Sequence, residues 1–234
     1  MIKEALEYVN SLIAPNREQI NGFEYSDKPL HRINEPHIKE ALEIFNLEGV
    51  VDYINSDTDK LENPMIVVES PNIVRVFNGL RKSKVRPFTL LARAPHYDLN
   101  LYLDRKLDQE VFTGFIQTHF IQDENTAKLL HYTGNIESNE SIKTGDDGVT
   151  QSATIKTSIV GREKVEFKNP IVLKPYRTFA DIEQPDSPFI LRLHEGNKVE
   201  LKSTEDKTWE VAAIKAIKNY LKEAIGDKEI TIIG

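Results

Sequence analysis

A chain of 234 residues with 39% hydrophobic and 29% charged residues and a mean hydropathy of -0.43 has the composition of an ordinary folded protein. At that length about 70% of the unfolded chain's surface becomes buried, so a sizeable core is expected. The absence of cysteine excludes disulfides, thiolate metal sites, iron–sulfur clusters and a cysteine nucleophile. The formal charge of -7, from 37 acids against 30 bases spread along the chain, opposes nonspecific attraction to nucleic acid, yet it is too mild for a nucleic-acid mimic.

The first residues, MIKEALEYVNSLI, set acids among the apolar positions. They lack the uninterrupted apolar run of a signal peptide, and no stretch approaches the roughly 18 apolar residues of a membrane span, so a cytoplasmic protein with no membrane partner is expected. Ile2, Leu6, Val9 and Ile13 form one helical face that Pro15 closes. Residues 22–33 read as irregular or extended. Pro36 suits a first helical turn, and Ile38, Leu42 and Phe45 continue a helical period toward Val50, Tyr53 and Ile54, with Gly49 either splitting the helix or tolerated within it.

Three β-type runs follow, Met65 to Val68, Ile73 to Leu80 and Arg86 to Ala94. Their short connections predict an antiparallel meander. The basic cluster Arg81, Lys82, Lys84, Arg86 lies at the second connection, where it reads as a solvated hairpin tip more readily than as a phosphate contact. A helix is predicted from Asp108, with Val111, Phe112, Phe115, Ile116, His119 and Phe120 as its apolar stripe. A second runs from Asp123, its N-cap, to His131.

Gly134 to Gly148 is polar and ends in Gly145-Asp146-Asp147-Gly148, a turn signature rather than a calcium loop. Val149 to Val160, Val165 to Phe167 and Ile171 to Leu173 have strand composition. The loop that follows holds Pro175, Pro185 and Pro188 with Arg177, Asp181, Glu183, Gln184 and Asp186. Proline fixes φ and removes an N–H, so this connection is stiff and cannot lie inside a sheet. Phe189 to Leu193 and Val199 to Leu201 form a predicted hairpin over Gly196-Asn197. Thr204 is the expected N-cap of a last helix with Trp209, Ala213, Ile217, Tyr220 and Ala224 inward and Gly226 at its end. A closing strand, Glu229 to Ile233, completes the chain. The fold class read from this order is α+β, with mixed, mostly antiparallel sheets, amphipathic helices packed on them, and a C-terminal helix followed by a short strand. One domain, 1–234, is expected, with a soft boundary near 100–108.

Chemical motifs are sparse. There is no glycine-rich phosphate loop, serine nucleophile elbow or histidine–glutamate zinc helix, and no two histidines stand three or four apart on a helix. No catalytic residue, metal ligand or cofactor is therefore assigned, and the balance is against an enzyme. His131-Tyr132-Thr133 matches half of a two-histidine phosphoesterase signature, but the other half is missing. The binding candidates are Arg177, Asp181, Glu183 and Gln184 in the proline loop, with Asp146 and Asp147 in the glycine turn. Arg177 and Gln184 would present donors to an anion. Alternatively, Arg177 pairs with Asp181 or Glu183 and staples the loop, while Phe179 and Ile182 plug the core beneath.

LLHYTGN, GDDGVTQ, NPIVLKPYRTF, DIEQPDSPFILRL and WEVAAIKAIKNYL, spanning Leu129 to Ile233, resemble the uncharacterised phage and prophage YfdQ-like family. The chain departs from the family's acidic, glycine-rich lead into the tryptophan, having STEDKTW instead. The resemblance implies a nonstructural phage or prophage protein in the host cytoplasm, and it implies no activity or ligand. The function expected is a binding protein for host interaction or counter-defence, sequestering a nucleotide-type signal or a host protein, with a homo-oligomer left open. Two alternatives stand beside it. One is a metal-dependent nucleotide or nucleic-acid enzyme built on Asp146, Asp147, Glu183 and His131. The other is an accessory DNA-binding protein of phage replication or recombination using Arg81 to Arg86, with DNA the less favoured partner.

Overall fold

The computed structural model describes residues 2–13, 15–29, 40–82, 84–135, 143–144, 151–156, 162–204 and 206–234. They fall into two compact units, 1–37 and 38–234. The first holds helix α1 (Ile2–Ile13) and a hairpin of β1 (Arg17–Ile20) and β2 (Phe23–Ser26). Asn21 and Gly22 turn that hairpin with φ of 54° and 83°. A two-residue turn with both φ positive matches the twist of paired strands and favours Asn-Gly, so within the segment read as irregular or extended, Phe23–Ser26 is extended and pairs antiparallel with β1.

The second unit contains two hydrophobic cores. Strand β3 (Leu42–Ile44), helix α2 (Glu48–Ser56) and the meander β4 (Met65–Ser70), β5 (Ile73–Phe77) and β6 (Phe88–Arg93) come first. The chain then passes through a 3₁₀ turn, Leu99–Leu101, to β7 (Leu107–Asp108), α3 (Gln109–His119) and α4 (Glu124–Gly134). Strands β8 (Lys143–Thr144), β9 (Gln151–Lys156) and β10 (Arg162–Phe167) make a small antiparallel sheet. After β11 (Ile171–Leu173) and the proline loop come β12 (Ser187–His194), β13 (Lys198–Ser203), α5 (Thr208–Ile225) and β14 (Thr231–Ile233).

The first core lies between α2, α5 and a five-stranded sheet ordered β14-β4-β5-β6-β3, whose outer strands run parallel to their neighbours and whose centre is antiparallel. Alternate residues Ile66 and Val68, Val74 and Val76, Leu90 and Ala92 face inward, as a period of two requires. The second core lies between α3, α4 and the antiparallel sheet β11-β12-β13-β7, with Phe112, Phe115, Phe120, Leu173, Phe189 and Leu191 at its centre. The fold is thus α+β, mostly antiparallel, with a C-terminal helix and then a short strand. Among the described residues no helix is long and apolar enough to cross a membrane.

Two local expectations are corrected. Leu42 belongs to a strand rather than to a helix running on to Ile54, because its segment pairs in parallel with Leu90 to Ala92 of β6. The helix begins only at Glu48, where the Asn46 side chain accepts the Gly49 N–H at 3.2 Å. A Cβ at Gly49 would lie 2.7 Å from Asn46 Oδ1 and 2.9 Å from Ile44 Cδ1, so both side chains would have to shift for any other residue. Thr204 does not cap α5. Its N–H and hydroxyl both donate to the Pro188 carbonyl, at 3.2 and 2.9 Å, tying β13 back to the start of β12. The helix starts four residues on, and its buried face runs through Ala213, Ile217, Leu221 and Ile225, with Ala224 exposed. The predicted strand Val149 to Val160 is seen as Gln151–Lys156, and its ends, with Pro36, Ile38 and most of Gly134 to Gly148, lie outside the described residues.

Candidate functional site

The proline loop, residues 174–186, leaves the second core, enters the first and returns. Its first residues extend the sheet: Ile121 N–H donates to the Lys174 carbonyl and Tyr176 N–H to that of His119, both at 2.8 Å, fastening the loop to the end of α3. Phe179 is then fully buried in the first core, with Ile182 packed beside it. A loop that carries a phenylalanine into another core has backbone polar groups to satisfy, and Gln184 does this.

Gln184 is only 3% exposed. Its Oε1 accepts the N–H groups of Arg177 and Thr178 at 3.1 and 3.4 Å, and its Nε2 donates to the carbonyls of Phe179 and Ile182 at 2.9 and 3.4 Å. The Thr178 hydroxyl donates to the Pro71 carbonyl at 2.5 Å, which pins the loop to the β4–β5 turn. Asp181 Oδ1 accepts the Glu48 N–H at 3.0 Å, an acid at the N-terminus of α2 where the helix dipole favours it. Lys174 pairs with Glu183 at 2.5 Å and reaches Asp186 at 3.8 Å. The Lys174 hydrogen bond and charge hold the Glu183 carboxyl below its ordinary range, and the same bond raises Lys174. Arg177 lays its guanidinium over the Trp209 ring, 4.1 Å from the centroid, and its Nη2 donates to Ser187 Oγ. Of the four loop candidates, Gln184 and Glu183 hold the loop to itself, while Asp181 and Arg177 tie it to α2, Trp209 and Ser187. Asp146 and Asp147 lie outside the described residues.

Holding the loop this way places Tyr176, half-buried, beside Tyr97. Its ring stacks on Tyr97 with centroids 5.5 Å apart and planes at 30°. Tyr97 meets the edge of His119 at 6.2 Å, and Tyr102 meets His119 at 5.2 Å while stacking on Phe115 at 4.6 Å. Rings therefore run without a break from the buried Phe115 to Tyr97, which is 37% exposed. Thr118 Oγ1 lies 2.7 Å from His119 Nδ1 and fixes the imidazole. Three chain segments build this face: the residues on either side of the 3₁₀ turn, Tyr97 before it and Tyr102 after it, the end of α3, and the loop. The sequence reading missed it, because Tyr97 and Tyr176 are remote in the chain; the one local signal was the density of aromatics in HYDLNLY.

The other candidates lie elsewhere. His131 is exposed on α4, and no group of three or more histidines, aspartates or glutamates placed to hold a metal ion occurs among the described residues. Arg81, Lys82, Lys84 and Arg86 lie in the β5–β6 connection, where Arg81 N–H donates to the Val85 carbonyl at 3.0 Å and Lys84 has a φ of 63°. No protein-family model matches the chain, and no curated protein or solved structure matches it either.

Proposed function

We propose that this chain is a non-catalytic binding protein that docks its ligand on the face formed by Tyr97, Tyr102, Tyr176 and His119. Taken with the family resemblance, the reading is of a phage- or prophage-encoded nonstructural protein in the host cytoplasm, serving host interaction or counter-defence by sequestration. One observation carries the binding role. An exposed tyrosine, Tyr97, stacked on the half-buried Tyr176, is backed by buried rings and held by a loop whose own polar groups bond inside the fold. Such rings offer large, stiff, amphipathic contact area at low entropic cost. A nucleotide-type ligand fits this face best, since a base stacked on an aromatic ring gains about 1–3 kcal/mol in any sequence context. The tyrosine hydroxyls also suit a protein surface, the second reading.

The test is a thermal-shift screen of linear and cyclic nucleotides. A ligand at about 100 times its Kd adds about 2.7 kcal/mol, a rise of roughly 5–10 °C for a chain of this size. The Tyr97→Ala, Tyr176→Ala variant should melt near the parent without ligand and lose that rise. A rise that survives the double substitution refutes the site, and no rise with any nucleotide leaves the protein reading, tested by a pull-down that the same substitutions must abolish.

A further inference from the structure

A second surface, separate from the aromatic face, lies where α5 meets the end of β14. A groove of about 320 Å³ runs there between Val211, Ile214, Lys215, Lys218 and Lys222 of the helix and Gly234. Residues three and four apart share a helix face, so the three lysines form one row. Neither Lys215 nor Lys222 has a carboxylate partner among the described residues, and Lys218 Nζ donates to the Gly234 carbonyl at 2.7 Å. Like charges at these spacings repel one another along the helix, so an acidic partner beside the row would relieve that repulsion. Val211 adds an apolar wall, 70% exposed. Beside the row, β14 is an edge strand whose one sheet neighbour among the described residues is β4. An edge strand presents a line of N–H and C=O groups ready to pair with another chain.

We propose that this groove takes an extended, acidic peptide segment of a partner protein, which adds as a strand beside β14 and sets its carboxylates against Lys215, Lys218 and Lys222. Side chains on one face of an extended peptide recur about every 6.7 Å. Lys218 and Lys222 are four helical residues apart, about 6 Å along the axis, close to that repeat. Backbone pairing then supplies affinity and the lysine row selects acidic residues at alternate positions. A nucleic acid would also meet the lysines. It would, however, leave the strand edge unpaired.

The experiment uses the full chain and a short dye-labelled peptide alternating glutamate with valine, followed by fluorescence anisotropy. Comparison probes are the same peptide N-methylated at alternate residues and a single-stranded oligonucleotide of similar length. The glutamate peptide should bind, more weakly at higher salt, and Lys218→Glu and Lys222→Glu should each weaken it about tenfold or more. The Lys222 side chain makes no hydrogen bond or ion pair within the described residues, so Lys222→Glu keeps the test informative even if Lys218→Glu unfolds. The N-methylated peptide should bind far less, and amide resonances of Thr231 to Gly234 should shift with the parent peptide alone. Tyr97→Ala should leave this binding unchanged. The proposal is overturned by no binding, by binding indifferent to Lys222→Glu, by equal binding of the N-methylated peptide, by tighter binding of the oligonucleotide in the groove, or by loss of binding in Tyr97→Ala.

Discussion

Replacing Gln184 tests the account of the proline loop most directly. Gln184→Ala removes an acceptor shared by two N–H groups and a donor shared by two carbonyls, in a position 3% exposed. A buried polar group left without a partner costs about 1–3 kcal/mol. The two bonds near 3 Å, Arg177 N–H to Oε1 and Nε2 to the Phe179 carbonyl, carry most of the loss, and the two near 3.4 Å add little. The expected deficit is about 3 kcal/mol, which lowers Tm by roughly 6–12 °C for a chain of this size. Gln184→Glu separates hydrogen bonding from side-chain volume. Protonated, its carboxyl can donate to the Phe179 carbonyl; ionised, it faces two carbonyl oxygens in a site with little water, so its folded pKa is raised above the unfolded value of about 4.3. Its deficit relative to the parent should therefore be smallest near or below that value and grow as pH rises. Melting curves of both variants and the parent across pH 4–8 read this out. If Gln184→Ala melts within about 2 °C of the parent, or if the Gln184→Glu deficit shrinks with rising pH, the staple reasoning is wrong.

Gly79→Ala should cost several kcal/mol, because a Cβ there would lie 2.3 Å from the Glu62 carbonyl oxygen that accepts the Gly79 N–H; denaturant unfolding at equal m-value measures it, and a loss under about 1 kcal/mol contradicts the packing. Glu200 is 7% exposed, and burial pushes its carboxyl up, but hydrogen bonds from His194 at 2.7 Å and Lys202 at 3.2 Å outweigh that and leave it below its ordinary range. A depressed pKa contributes stability above the unfolded value of about 4.3, lost as pH falls through the folded value, so Glu200→Gln should cost about 1–3 kcal/mol at pH 7 and progressively less in acid; a pH-independent difference would refute the linkage. Arg177→Ala should lower stability by about 1–2 kcal/mol through loss of the Trp209 stack and the Ser187 bond, and should shift the fluorescence of Trp209, the chain's one tryptophan; unchanged emission would place the guanidinium elsewhere.

Local chemistry made part of this fold readable. Asp123 announces α4 as an N-cap, and the structure adds the reciprocal half, with Thr126 N–H donating to Asp123 Oδ1 and Asp123 N–H to Thr126 Oγ1. The meander was legible because short connections leave adjacent runs little choice of partner. Leu42 to Ile44 was not, since an apolar spacing shared with a helix says nothing about an edge of a distant sheet that can take three residues in parallel. Asn21-Gly22 is a different case: the hairpin signal stands in the sequence, but its flanking runs, REQI and FEYS, are short and mostly polar and carry little strand pattern of their own. At the site, the stiffness of the proline loop followed from its prolines. Its partners Trp209, Glu48 and Pro71 did not, because each lies on a remote element.

That remoteness bears on how a ligand on the aromatic face would be felt. The loop threads both cores, with Leu173 and Phe189 anchoring it in the second and Phe179 in the first. Pulling Phe179 out would expose a fully buried ring and break the bonds of Thr178 and Asp181 to the β4–β5 turn and α2, a loss of the size that Phe→Ala substitutions show, about 3–5 kcal/mol. Tyr176 stands on the same backbone, fastened to α3 through the His119 carbonyl. A ligand bridging Tyr97 and Tyr176 therefore binds only when the loop is docked in both cores. Its binding free energy is added to the stability of the whole unit 38–234 rather than to one lobe, so a single melting transition should move as one when the ligand is present.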